Sequence, residues 1–405
     1  MIILATILSG LSLLMSVLFL VQLKQLTPAV FAKLIAGALS PYWAIMGAVG
    51  AVLGGVYKAP WAIPMGIVGA GMMIWYIWQC TRDHDGFAKA FGAGWADQIQ
   101  PQQAKLMVQK RWTWFLKMKA SPEPSLERDV AFWTIPDTER ELLCDIWRPA
   151  NGNVSGLAFI FLHGSGWAMG DKDFGTRPFF NHLVAQGHTV MDVAYRLMPE
   201  VDIYGMIGDV KRAIAWIKAN AARYGVNPDK IVLGGGSAGC HLALLAGYTP
   251  QHPELTPEDV KDADLSACGV VSFYGPTDLA AGYDQWVNPD QRRAEAMRYV
   301  GRMDLLLGGH PQDVPDAYQL AAPATHIHPG SPPTLLIQGD KDVLVSVDTT
   351  RAFYAKLVES GVPAINVIFP WTDHMFDLIL PQVSPPAQSA LYDVDRFLAL
   401  LLNKD

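Results

Sequence analysis

One short stretch of this chain has the composition of a nucleophile's seat. Gly235-Gly236-Ser237-Ala238-Gly239 follows the apolar residues 231–234 and precedes a small-residue segment of helical character. The pattern is G-x-S-x-G, the mark of a sharp turn from strand to helix. Glycine at 235 and 239 removes side chains that would collide with neighbouring backbone. The turn then projects the Ser237 hydroxyl at the amino end of a helix, where free N–H groups favour developing negative charge. A serine hydroxyl is a weak nucleophile until a base takes its proton. Of the ten histidines, His374 is the candidate, in "FPWTDHMFD" after the last predicted strand. An acid must fix its tautomer and stabilise the imidazolium. The turn in "LLIQGDKDVLV" offers Asp340 and Asp342.

A second stretch, "FLHGSGWAMG", ends a strand at His163-Gly164-Ser165-Gly166-Trp167. Its small residues let backbone N–H groups face an oxyanion. Ser165 is no rival nucleophile, because His163 stands where the turn pattern needs glycine. His241 falls within the helix after Ser237, and His326 and His328 form an isolated pair without further ligands. Cys80, Cys144, Cys240 and Cys268 match no metal or disulfide spacing. No metal and no cofactor are expected.

These residues need a sheet to hold them. From residue 126 onward, short apolar runs alternate with helical stretches. Strands are predicted near 129–135, 142–148, 157–162, 189–194, 231–235, 268–274, 333–338 and 364–369. Helices are predicted near 177–186, 205–224, 238–248, 314–321, 348–360 and 387–402. Strands alternating with helices imply a mostly parallel, eight-stranded sheet covered on both faces, with the first two strands as an antiparallel edge hairpin.

Residues 129–400 resemble an α/β-hydrolase of the hormone-sensitive-lipase-like esterase group. The matching pieces are HGSGW, "VAYRLMPE", "NPDKIVLGGGSAG", "VSFYGPTDL", "PPTLLIQGDKDVLV" and "DHMF", in that order. The resemblance implies a serine carboxylesterase working through an acyl-enzyme, with Ser237 as nucleophile, His374 as base and Asp342 as acid. It implies an oxyanion hole from the N–H groups of Ser165, Gly166 and Ala238, supported by His163 and Gly164. Two positions depart from the group: HGSG replaces its usual HGGG, and Cys240 stands where glycine is common. Trp167 lines a substrate pocket or packs in the core. An amidase or formamidase on the same fold is the alternative chemistry, and an inactive binding module the remaining class.

The first eighty residues read differently. Charged side chains are absent from 1–23, 34–57 and 59–81. Each run is long enough to cross a hydrocarbon core as a helix, and three spans are expected near 2–22, 39–57 and 61–79. Small residues at Gly47, Gly50, Ala51, Gly54 and Gly66 suit close helix packing in lipid. Lys24, Lys33, Arg82 and Lys89 in the flanking segments favour a cytoplasmic catalytic domain in a multi-pass membrane protein. The expected organisation is a transmembrane region over 1–81, an amphipathic connector or cap over 82–125 and a catalytic domain over 126–405. Within the connector, 102–119 is basic and aromatic, suited to a membrane surface or to capping a pocket. The expected partners are a small or lipid-like ester and membrane lipids. A net charge of −7 argues against nucleic acid.

Overall fold

The computed structural model describes residues 1–21, 28–118, 123–150, 152–287 and 299–403. Gln22, Lys24 and Lys119, used in the expectations above, lie outside them. The chain begins with four helices: α1 (Ile2–Val17), α2 (Pro28–Ala38), α3 (Ser40–Val56) and α4 (Ala62–Thr81). α1, α3 and α4 meet through residues too small to hold them apart. A Cβ added at Gly50 would lie 2.7 Å from Ser9 N, and one at Gly69 would lie 2.7 Å from Leu13 N. Either would push two backbones apart. Ser9, Ser12 and Ser16 are buried between these helices, while Ile3, Val52, Val56, Ile67 and Trp78 face outward and exposed. Small and polar residues thus lie inside, and large apolar ones outside.

Ile2–Leu20 and Ala62–Phe91 are each long and apolar enough to cross a membrane. α2 and α3 pass that test only as a pair, bent by 75°. The expected span 39–57 is thus preceded by a helix that the charge-free runs did not reveal, because Lys33 interrupts the apolar sequence there. Lys33 is also not a loop charge. It is buried on α2, with Nζ 3.3 Å from Asp373 Oδ2, so it drops out of the charge count used for orientation.

Two short helices follow, α5 (Gly86–Phe91) and α6 (Pro101–Leu106). Among the described residues from 107 to 118 the connector is not helical, so the basic aromatic stretch is mostly a strap. Arg111 within that stretch is buried, and its guanidinium donates to Asp83, Ser389 and Asp393. Trp114 and Phe115 do remain exposed.

The sheet contains β1 (Ser125–Thr134), β2 (Glu141–Arg148), β3 (Ala158–Leu162), β4 (Thr189–Val193), β5 (Ile231–Gly236), β6 (Gly269–Phe273), β7 (Thr334–Gly339) and β8 (Ala364–Phe369). Their spatial order is β1-β2-β4-β3-β5-β6-β7-β8. β1 and β2 pair antiparallel, as do β2 and β4, and the rest are parallel. β3, β4, β6 and β7 are buried along their whole length. Burial along a whole strand belongs to strands covered on both faces.

The covering helices are α7 (Arg177–Ala185), α8 (Ile203–Ala219), α9 (Ala221–Tyr224), α10 (Ala238–Tyr248), α11 (Tyr283–Trp286), α12 (Met303–Leu307), α13 (Pro315–Ala321), α14 (Val347–Glu359) and α15 (Pro385–Leu402). The single helix expected over 205–224 is two, divided at Asn220. One hydrophobic cluster runs from Phe19, Leu34, Met73 and Tyr76 through Phe87 into Ile365, Phe369 and Phe397. The amino-terminal helices therefore share a core with the sheet, which the expected three-part division did not foresee.

Candidate active site

The elbow forms where β5 enters α10. A Cβ at Gly235 or Gly239 would run into the carbonyl oxygen of Leu162 at the end of β3, so only glycine lets the two strands and the helix approach this closely. Ser237 itself sits at φ 53° and ψ −121°, a conformation that L-residues rarely adopt. Its N–H donates to Phe273 O at 2.9 Å, which pins the turn to β6. Ser237 lines a cavity of about 1000 Å³.

The histidine and the acid arrive from the far edge of the sheet. His374 is buried on the loop after β8 and lines the same cavity. Its Nδ1 lies 2.8 Å from Asp342 Oδ2. The other Asp342 oxygen accepts from Leu344 N and Val345 N, both at 2.9 Å, so the carboxylate cannot swing away without giving up two hydrogen bonds. Asp340 is occupied elsewhere, accepting from Trp371 N at 2.6 Å. Among the described residues the Ser237 hydroxyl makes no hydrogen bond to His374, and such contacts commonly tighten only with substrate bound.

The loop after β3 lies against the elbow. A Cβ at Gly164 would stand 2.9 Å from Gly236 O. Ser165 and Gly166 both line the cavity, and Ser165, Gly166 and Trp167 all have positive φ, a reversal that brings the loop back over Ser237. Ala238 is buried at the first position of α10 and does not itself line the cavity. The His163 carbonyl accepts from Tyr195 Oη at 2.7 Å, and burial lowers the His163 pKa, keeping the ring neutral. Trp167 lines the cavity and stands edge-on to His241 and Trp286. Its side chain is thus both wall and packing.

Cys240 is structural here. Its Sγ donates to Gly235 O and accepts from Phe273 N, and burial pushes the thiol up to about 12, away from reactivity. His326 Nε2 bonds the Leu320 carbonyl. Among the described residues no group of three or more His, Cys, Asp or Glu side chains is placed to hold a metal.

Several site neighbours were missed in the sequence. Tyr274 packs its ring 4.3 Å from His374 and donates to Asp377 Oδ1 at 2.5 Å. Burial pushes Asp377 up to about 6. Pro28 and Phe31 of α2 and Met118 of the strap line the cavity, and Phe31 is partly exposed, as is Phe174. Asp373 lay in plain view beside His374 but nothing in the sequence marked its partner. Lys33 did carry one signal, being a lone charge in an apolar run.

The chain is similar to known ester hydrolases. Over 261 residues the chain is 33% identical to "Probable carboxylic ester hydrolase LipM" of Mycobacterium tuberculosis, spanning 63% of this chain and 57% of that protein. It is 29% identical over 300 residues to "Esterase LipQ" of the same organism, covering 73% of this chain and 69% of that one. Among solved structures, the apo form of Thermogutta terrifontis esterase 2 superposes with a TM-score of 0.53 at 25% identity, over 70% of this chain and 96% of that one. These relatives and the mostly parallel sheet mark an α/β-hydrolase fold of the esterase type. The BD-FAE family model matches residues 144–357, more than half of the 405 residues, and the chain belongs to that family.

Proposed function

We propose that this chain is a membrane-anchored serine esterase that cleaves carboxylic esters through an acyl-enzyme. The observation that carries the reading is the 2.8 Å contact between Asp342 and His374 on the wall of the cavity into which the strained Ser237 opens. The relatives' names supply the bond: LipM is called a carboxylic ester hydrolase, and LipQ an esterase.

In this mechanism Ser237 Oγ attacks the ester carbonyl carbon while His374 Nε2 takes the hydroxyl proton. Asp342 holds Nδ1–H and stabilises the imidazolium. The carbonyl oxygen becomes an oxyanion, met by the N–H groups of Ser165, Gly166 and Ala238 in a site sheltered from water. Collapse breaks the bond to the alcohol oxygen, which leaves with the proton from His374. A water then attacks the acyl-enzyme by the same route, returning Ser237 and releasing the acid.

The cavity favours an apolar acyl or alcohol group. Phe31, Met118, Phe161, Phe179, Leu378 and Leu391 all face it. Its volume of about 1000 Å³ lies at the upper end of the roughly 300–1000 Å³ usual for ligand pockets. A cavity lined in part by α2, in a helix region whose outer faces are apolar, suits an ester dissolved in the bilayer. Each buried methylene adds about 0.8 kcal/mol of partitioning. The test is hydrolysis of p-nitrophenyl esters of rising chain length by the full chain in lipid nanodiscs. The reading expects a lasting preference for long acyl chains that Ser237→Ala abolishes. Activity confined to acetate, or equal on all lengths, contradicts the lipid-like substrate. Loss of all ester cleavage in favour of amide cleavage contradicts the esterase.

A further inference from the structure

We infer that Lys33, on the amino-terminal helix α2, is a positioning residue for the catalytic acid and base. The inference rests on the triad reading above. It starts from Asp373, which is completely buried one residue before His374. Its Oδ1 accepts two backbone donors at once, His374 N at 2.9 Å and Val343 N at 3.0 Å. Val343 directly follows Asp342. One carboxylate oxygen therefore ties the backbone of the base to the backbone beside the acid, across the gap between the loops after β7 and β8. The acid–base contact at 2.8 Å is made between side chains whose backbones this clamp holds.

A buried carboxylate left without a counter-charge is costly, and the loop that carries it is driven to open toward water or to rearrange. Burial does push the Asp373 carboxyl above its usual range, and Lys33 opposes that shift. Asp373 Oδ2 is met by Lys33 Nζ at 3.3 Å, with both side chains buried. Among the described residues no other cation forms an ion pair with it. The lysine comes from 340 residues earlier in the sequence. The same loop is held by further contacts from the helical region. Tyr76 Oη on α4 lies 3.0 Å from Thr372 Oγ1, and Trp75 packs against Trp371 with ring centroids 4.3 Å apart. The helices that read as a membrane anchor thus reach the base loop directly, and α2 supplies the charge that offsets its buried carboxylate.

The test separates alignment from folding. A fluorophosphonate probe labels the nucleophile once per competent site, so the final extent of labelling counts folded sites and the rate constant reports activation of Ser237. Both are measured on the full chain in detergent for wild type, Lys33→Met, Leu34→Ala and the double variant Lys33→Met/Asp373→Asn. Leu34 is a buried neighbour on α2 with no polar role. Lys33→Met is expected to label at least ten-fold more slowly per site, with a matching fall in kcat for a short-chain ester and little change in KM. Leu34→Ala should label at the wild-type rate per site. The double variant leaves no unpaired buried charge, and the side-chain amide carbonyl introduced at position 373 can still accept both N–H groups, so it should recover most of the rate. This holds also where Lys33→Met alone does not fold. Wild-type rates in Lys33→Met, an equal slowing in Leu34→Ala, or a double variant no better than the single one overturns the inference. A wild-type chain that neither labels nor cleaves esters defeats the triad reading itself.

Discussion

Replacing Ser237 by glycine should make the protein more stable while destroying its activity. The serine holds φ 53° and ψ −121°, and a non-glycine residue in such a region costs of order 1–3 kcal/mol. Its side chain makes no helix-capping hydrogen bond, so deletion forfeits no cap. Glycine adopts the conformation freely but loses about 0.5–1 kcal/mol through the flexibility it adds to the unfolded chain. The balance is a gain of about 1 kcal/mol. Alanine keeps its Cβ and the strain with it, so Ser237→Ala should sit near wild type. A gain of this size raises the melting temperature by roughly 2–4 °C in a domain of 150–250 residues, and somewhat less in this larger one. The assay is thermal unfolding in one detergent at one scan rate, read beside ester hydrolysis. Both variants should lose about 10⁴-fold or more in kcat. A glycine variant no more stable than the alanine variant refutes the strain argument, and near-full activity in either refutes the role of Ser237.

Three further outcomes follow from the same geometry. Asp342→Asn should lower kcat by about 10⁴-fold, since the wrong tautomer of His374 is then held; Asp340→Asn should cost far less, because Asp340 bonds Trp371 N and not the histidine. Phe31→Arg places a charge on the α2 side of the cavity, and should cut kcat/KM for long-chain esters at least ten-fold while sparing acetate; an equal loss on both lengths contradicts a long chain lying against α2. Asp192, fully buried on β4, is pushed by burial from its ordinary 3.8 up to about 8. The native state therefore holds a proton that the unfolded state releases, and stability should fall as pH rises through that window and level off above it. Asp192→Asn mimics the protonated form, so its melting temperature should draw ahead of wild type between about pH 4 and 8, whereas a constant gap contradicts the assignment.

The parts of this molecule that follow from local pattern were legible in its sequence. β3 is an uninterrupted apolar run, and the glycines around Ser237 have a steric reason that survives in the structure: a Cβ at 235 or 239 meets Leu162 O. The sites invisible in the sequence are those made by contacts across great chain distance. Lys33 and Asp373 are 340 residues apart, and neither has a spacing rule that points to the other. α2 was hidden because its one charge breaks the hydropathy run, while the fold cancels that charge with a carboxylate from the catalytic loop. The partners of Arg111 are hidden for the same reason: a basic stretch does not show that this one cation pairs with Asp83 and with the buried Asp393. Asp377 and Tyr274 sit beside His374 because β6 and the loop after β8 are neighbours in space, which no local pattern records.

The central claim is that Ser237 is a nucleophile activated by His374 and Asp342. The most direct measurement is peptide mapping by mass spectrometry after the full chain, in detergent, has reacted with a fluorophosphonate. The account predicts one adduct per chain, located on Ser237, and a labelling rate that collapses in His374→Ala. An adduct on Ser165 or another residue, or labelling of Ser237 at an unchanged rate without His374, contradicts it.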